Sequence, residues 1–438
     1  MDKINLIYEM SAEDIQKTIE QYLPIRVEKK NKNGEVFTPI NLIEEMLDKL
    51  PKDVWKNKDY KWLDPANGIG NFPMIVYQKL MEGLKDVIKD DEERSNHIIN
   101  NMLYMVELDI DNVNISKKIF GKDANIYCGD FLSMDIKKVT GVEKFDIIIG
   151  NPPFNKGQKY QDKKGGGDSL WDKFIIKSLE LLSNNKFLVF VTPSGWRSPD
   201  SEHSKTKGLF DLMAHKNSII YLEIHNTKDG LKTFNAATRY DFYIIKKQSN
   251  NRETIIKDEK GIINNLNLNN WNFLPNYNYN LIQKLLAKTD ETINNIYSAS
   301  QFETRKSWVS EKKTDKFKYP LVHSTPLSGI RYYYTSNKTP QVKELIPMFG
   351  ISKVIFGDSG INNVLIDLEG NYGMTQHAIG IKVKNSKEAE LYKKALESVE
   401  FKEVLDALSY SNYQINWRMF KYFKPDFYNI IFSLGGKK

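Results

Sequence analysis

The apolar run Phe145-Asp146-Ile147-Ile148-Ile149-Gly150 is followed at once by Asn151-Pro152-Pro153-Phe154. Two consecutive prolines remove two backbone donors and hold the chain extended, so the strand ends there. What remains at its carboxyl end is an Asn amide, a free proline carbonyl and an aromatic face. In open α/β sheets, ligands bind at the carboxyl ends of the central strands. The Asn oxygen and the carbonyl are both acceptors, which suits a planar amino group with two hydrogens to donate. Phe154 adds a stacking surface. The four residues read as a pocket for the exocyclic amine of a base.

Upstream elements offer a site for a second ligand. Lys61-Trp62-Leu63 reads as a short strand, followed by Asp64-Pro65-Ala66-Asn67-Gly68-Ile69-Gly70-Asn71-Phe72 and a helix to about residue 85. The glycines permit a tight turn and close backbone approach to a ligand. Alone, they fit an ordinary strand-to-helix turn equally well. A second strand over 101–106 ends in Glu107, Leu108 and Asp109, and a third over 125–128 ends in Gly129, Asp130 and Phe131. Acids at successive strand ends suit a ligand with a diol and an adenine amine, and lack the geometry of a phosphate cradle.

With these motifs in this order, the chain resembles the N6-adenine DNA methyltransferases that use S-adenosylmethionine, of the arrangement in which the cofactor motif precedes Asn-Pro-Pro-Phe and target recognition follows. The resemblance covers residues 30 to 248 by motif, and the remainder by domain order. It implies a Rossmann-like class I methyltransferase sheet with a C-terminal mixed α/β target-recognition domain. Gly34 to Pro39 resembles the segment that closes over the methionine end of the cofactor, which gives roles to Phe37, Thr38 and Pro39. By the same resemblance Asp64, Ala66, Gly68, Gly70, Asn71 and Phe72 line the methionine moiety. Glu107, with Leu108 beside it, holds the ribose hydroxyls, Asp130 the adenine amine, and Phe131 the adenine ring. Asn151, Pro152, Pro153 and Phe154 are the catalytic residues, with Asn151 also reaching the cofactor, and the product is S-adenosylhomocysteine. Glu107 lies further beyond the glycine turn than the acid about 20 residues on in dinucleotide folds. Lys89 to Arg94 fills the gap as a solvated helix end or loop, with no apolar strand before its acids.

Composition sets limits. The 438 residues suit two domains. A balance of 63 basic to 56 acidic residues, net +7, permits nucleic-acid binding without arguing for it. Cys128 is the one cysteine, so no internal disulfide forms and a reducing compartment is expected. The six histidines lack ligand spacing, and no metal site is expected. No apolar stretch approaches the ~20 residues of a membrane span. The acidic N-terminus (Asp2, Glu9, Glu13, Asp14) has no signal-peptide pattern. The expected setting is the cytoplasm of a bacterial, phage-infected or virus-infected cell, and the expected state a monomer.

The expected division is a helical extension over 1–33, the catalytic domain over 34–250, an Asn-rich connection over 251–280 and the recognition domain over 281–438. Lys163 and Lys164, before three glycines, suit a DNA backbone or a plain surface loop. Further strands are expected at 186–191, 219–224 and 240–245, and a long helix over 388–408. Beyond residue 280 cations interleave with aromatics at Arg305, Lys306 and Trp308, at Arg331 and Tyr333, and at Trp417 and Arg418. Singly, each reads as an element with one wet face. Together, attached to a base-modifying pocket, they point to double-stranded DNA. Gln376 suits an adenine edge, although a satisfied core glutamine explains it better.

The chemistry expected is direct methyl transfer to N6 of a flipped-out adenine, with no covalent enzyme intermediate and no metal. Rival readings are an RNA base amino-methyltransferase and a methyltransferase-like DNA-binding subunit without chemistry. A restriction endonuclease as cognate partner fits the same reading.

Overall fold

The computed structural model describes residues 38–155, 169–199, 206–250, 252–288, 290–410 and 415–435. The chain divides into two compact units, residues 1–196 with 202–272, and residues 197–201 with 273–438. Phe37, Lys163, Lys164 and the N-terminal extension lie outside the described residues.

The first unit is built on a nine-stranded sheet in the order β3-β2-β1-β4-β5-β7-β6-β8-β9. The strands are β1 (Trp62–Asp64), β2 (Leu103–Glu107), β3 (Ile126–Cys128), β4 (Phe145–Gly150), β5 (Leu182–Pro193), β6 (Ser218–His225), β7 (Tyr240–Lys246), β8 (Thr254–Lys257) and β9 (Ile263–Leu266). β1 to β5 pair in parallel, whereas β7 runs antiparallel to both β5 and β6. The β4 run is apolar over 147–149 because both faces of the sheet are covered. Ile147 and Ile149 join Val189, Val191, Phe242 and Ile244 in one core with helices α1 (Ile40–Asp48) and α2 (Asn71–Gly83). Their alternates Ile148, Leu188, Phe190, Tyr243 and Ile245 are as deeply buried on the other face. Further helices are α3 (Ile110–Phe120), α4 (Trp171–Leu181) and α5 (Thr227–Phe234).

One expectation about the elements of this unit changes. The stretch 251–280, read as an Asn-rich connection, carries β8 and β9, which extend the sheet from β6, and the unit ends at residue 272. Its asparagines misled because β9 is an edge strand with alternately exposed side chains, so it needs no apolar pattern. Lys89 to Arg94 is partly a short capped helix, in which Asp90 accepts from the Glu93 amide.

The second unit contains two four-stranded sheets, ordered β10-β17-β14-β15 and β11-β13-β12-β16. The strands are β10 (Asn295–Ile296), β11 (Val309–Ser310), β12 (Tyr319–Ser324), β13 (Arg331–Thr335), β14 (Lys353–Gly357), β15 (Gly360–Asp367), β16 (Gly373–Met374) and β17 (Ala378–Lys382). Phe302, Leu321, Val322, Ile355 and Met374 form its apolar core. The single helix expected over 388–408 is two, Ser386–Leu396 and Val399–Ala407, because Ser398 caps the second by accepting from the Phe401 amide. Among the described residues no helix is long and apolar enough to cross a membrane.

Candidate active site

Strand order reverses between β1 and β4, the position at which an open α/β sheet leaves a crevice at its carboxyl ends. Asp64 ends β1 and Gly150 ends β4 on either side of it. Asp64 is 2 % exposed, and its Oδ1 accepts from the Ala66 amide at 3.0 Å. A Cβ added at Gly150 would meet that same Oδ1 at 3.0 Å, so the carboxyl lies directly against the strand end that carries Asn151. Burial pushes the Asp64 carboxyl up to about 8, with Glu107 nearby adding to the rise and the Ala66 amide opposing it.

The turn after Asp64 is fixed by backbone constraints. The Asn67 amide donates to the Val106 carbonyl at 3.0 Å, and its side chain donates to Ser116 Oγ at 2.9 Å. Gly70 has φ +101° and starts α2, and a Cβ there would lie 2.6 Å from the Phe120 ring. Only glycine meets both conditions. Asn71 donates to the Thr38 carbonyl at 3.2 Å, which joins Thr38 and Pro39, at the head of α1, to this turn. Phe72 packs into the core, so its ring is not available to a ligand.

Glu107 ends β2 and reaches back to the glycine turn. Its Oε2 accepts from the Gly68 amide at 2.7 Å, and its Oε1 accepts from the Asp109 amide at 2.8 Å. The Asn112 side-chain amide also donates to Oε1, at 3.4 Å. Leu108 is 54 % exposed beside it. Asp130 is exposed, with one oxygen accepting from the Leu132 amide at 3.0 Å. Phe131 departs from expectation. Its ring is buried against Phe174 at 5.1 Å, with the Lys177 ammonium 5.1 Å from its centre, so it packs α4 onto the sheet and shows no face to an adenine.

The buried acid at Asp64 and the Glu107 carboxylate, joined by the glycine turn to which Glu107 bonds, fit S-adenosylmethionine. Asp64 would face its cationic amino-acid end, the turn at Gly68 would let it approach the backbone, and Glu107 would face the ribose hydroxyls.

At the end of β4, Asn151 and Phe154 are half-buried, Pro152 is buried and Pro153 is exposed. The Leu170 amide donates to the Phe154 carbonyl at 3.3 Å, holding this loop to the start of α4. Phe154 meets Phe234 edge to face at 6.3 Å, Phe234 meets Tyr240 at 4.8 Å, and Tyr240 stacks on His225 at 4.3 Å and 8°. Burial holds His225 below the usual imidazole range against the opposing pull of Asp229, Asp241 and Glu45. These three aromatics were missed in the sequence. The available signal was that residues ending β6 and starting β7 must share the sheet edge that carries Asn151. The capping box of Asn226 and Asp229 sets the start of α5, which delivers Phe234.

In the second unit, Arg305 is highly exposed and paired with Glu303 at 2.9 Å. Trp308 is partly buried, its indole donating to the Gln301 carbonyl at 3.0 Å, and Lys306 lies 5.7 Å from its ring. Arg331 is exposed and Tyr333 half-buried. Arg418 lies 5.1 Å over Trp417, which itself stacks on Tyr297 at 4.4 Å. Gln376 is satisfied within the fold, accepting from the Thr304 amide and donating to the Thr304 hydroxyl.

Residues 47–234 match the Eco57I restriction-modification methylase family. Among curated relatives, an adenine-specific methylase of Mycoplasma pneumoniae is 27 % identical, over 37 % of this chain and 56 % of its own length. The Type II methyltransferase M.VspI of Vibrio sp. is 28 % identical, over 37 % of each chain. The chain thus spans about half the length, or less, of these relatives. Among solved structures, the Type ISP restriction-modification enzyme LlaBIII bound to DNA shares the fold over 92 % of this chain and 40 % of its own, with TM-score 0.55 and 14 % identity. A nuclease-deletion mutant of the Type ISP enzyme LlaGI does so over 96 % and 48 %, with TM-score 0.52 and 15 % identity.

Proposed function

From the match of residues 47–234 to the Eco57I restriction-modification methylase family, we propose that the protein transfers a methyl group from S-adenosylmethionine to N6 of an adenine flipped out of double-stranded DNA. The observation that carries the reading is the apposition of the buried Asp64 carboxyl to the β4 end that bears Asn151. A ligand resting on Asp64 and the glycine turn, and a base amine at Asn151, would be neighbours across the crevice.

S-adenosylmethionine, when bound, supplies an electrophilic methyl on its sulfonium. Asn151 and the Pro152 carbonyl accept the two hydrogens of the adenine amine and draw its lone pair out of the ring plane. Acceptors fixed beforehand stabilise the positive charge that develops on nitrogen, and orientation removes much of the remaining barrier. Phe154, backed by Phe234 and Tyr240, offsets part of the few kcal/mol lost on unstacking the base. The basic and aromatic residues of the second unit contact the duplex, and a restriction endonuclease is the partner that the family's setting implies.

Incubation of the purified chain with tritiated S-adenosylmethionine and duplex DNA should place label in N6-methyladenine. Label in N4-methylcytosine, in RNA or in protein overturns the assignment.

A further inference from the structure

Two histidines of the second unit are held in a way that leaves one nitrogen of each ring unused. His323, on β12, shares a hydrogen bond between its Nδ1 and Thr375 Oγ1 at 3.0 Å. His377 shares one between its Nδ1 and Asp358 Oδ2 at 3.1 Å, and that carboxylate also accepts from Ser359 Oγ at 2.9 Å. The rings meet edge to face at 5.1 Å, and Tyr333 packs on His323 at 4.5 Å. Among the described residues neither Nε2 has a hydrogen-bond partner. The His377 side chain is 35 % exposed.

Both ring nitrogens of a histidine can instead be committed within the fold. His215 of the first unit is such a case, with Nδ1 on Asp211 at 3.0 Å and Nε2 on the Trp271 carbonyl at 3.0 Å. His323 and His377 lack that second bond. We propose that His323 and His377 form a base-reading pair, presenting their Nε2 atoms to base edges in the major groove of the target duplex. This inference rests on the DNA methyltransferase reading above.

The chemistry of the pair favours base edges over phosphates. The Asp358 carboxylate can only accept, so in the neutral tautomer that it selects, the proton of His377 sits on Nδ1 and Nε2 is the acceptor. An acceptor in the major groove selects the amino group of adenine or cytosine. Burial, reinforced by the cation of Arg331, holds His323 below its usual range against Asp358 and Glu311, which favours its neutral ring. Arg331, exposed at the start of β13, supplies the phosphate contact beside it.

The test expresses the full chain, and its His323→Gln, His377→Ala and Arg305→Ala variants, in a host lacking adenine methylation. The host genome is then sequenced with base modifications read at each position. The wild type should modify adenine within one motif. The histidine variants should lose discrimination by about 10- to 100-fold at one or two positions of that motif. Arg305→Ala should lower occupancy at all sites alike. Thermal melting shows which histidine variants fold as the wild type does, and either one alone suffices. A folded histidine variant with the wild-type motif and strictness overturns the base-reading pair and leaves the methyltransferase reading standing. A wild type that modifies no adenine overturns both.

Discussion

Asp64→Asn offers a quantitative probe of the crevice, because burial raises this carboxyl from 3.8 to about 8. In the cofactor-free fold the neutral acid is therefore favoured, whereas the unfolded chain ionises it near its ordinary value. The folded state binds more protons between these two values, so stability is fully present below pH 3.8 and is lost as pH rises through about 8. At ~1.4 kcal/mol per pH unit the ceiling on that loss is ~6 kcal/mol. Asparagine stays neutral at every pH and retains an oxygen for the Ala66 amide. The variant should therefore gain on the wild type as pH rises from 5 to 8, by ~4 kcal/mol. For a domain of this size that gap is ~8–16 °C in Tm. Melting both proteins without cofactor at pH 5, 6.5 and 8 measures it, and other titrating groups cancel in the difference. S-adenosylmethionine should reverse the order at pH 8, because its cationic end pairs with the carboxylate of the wild type alone. A difference in Tm that stays flat from pH 5 to 8 refutes the argument that Asp64 is a buried acid awaiting a cation.

Three further outcomes follow from other parts of the structure. Gly70→Ala, which sets a Cβ 2.6 Å from Phe120 at φ +101°, should lower Tm measurably and weaken cofactor binding in calorimetry. Lys353→Ala removes the partner of Asp367, to which its ammonium donates at 2.6 Å with both side chains buried, and should destabilise the second unit by ~3–5 kcal/mol in urea melts. Phe154→Ala should lower kcat/KM for duplex DNA by about 5- to 150-fold through lost base stacking, with cofactor affinity unchanged.

The sheet and its carboxyl edge were legible because short apolar strands end on conspicuous residues. The Asp64, Glu107, Asp130 and Asn151 strand ends were all placed from chain order alone. What stayed hidden depends on tertiary position. Phe131 follows an acid at a strand end, as a ligand-stacking ring would, but its environment is set by Phe174 on a helix some forty residues on. The residues behind Phe154 come from β6, α5 and β7, and no local pattern links Tyr240 and His225 to Asn151. β9 was lost because an edge strand tolerates asparagine where a central strand does not. In the second unit, basic-aromatic patterning identified candidate residues, yet Trp308 carries the same signature and is largely committed to packing.

The central claim is that Asn151, at the end of β4, accepts the hydrogens of the target amine. Single-turnover methyl transfer by Asn151→Ala, at saturating S-adenosylmethionine and excess enzyme over duplex DNA, tests it most directly. Loss of one preorganised acceptor should slow the chemical step by about 10²- to 10³-fold, with cofactor affinity and Tm close to wild type. A variant that transfers methyl at the wild-type rate would contradict the account.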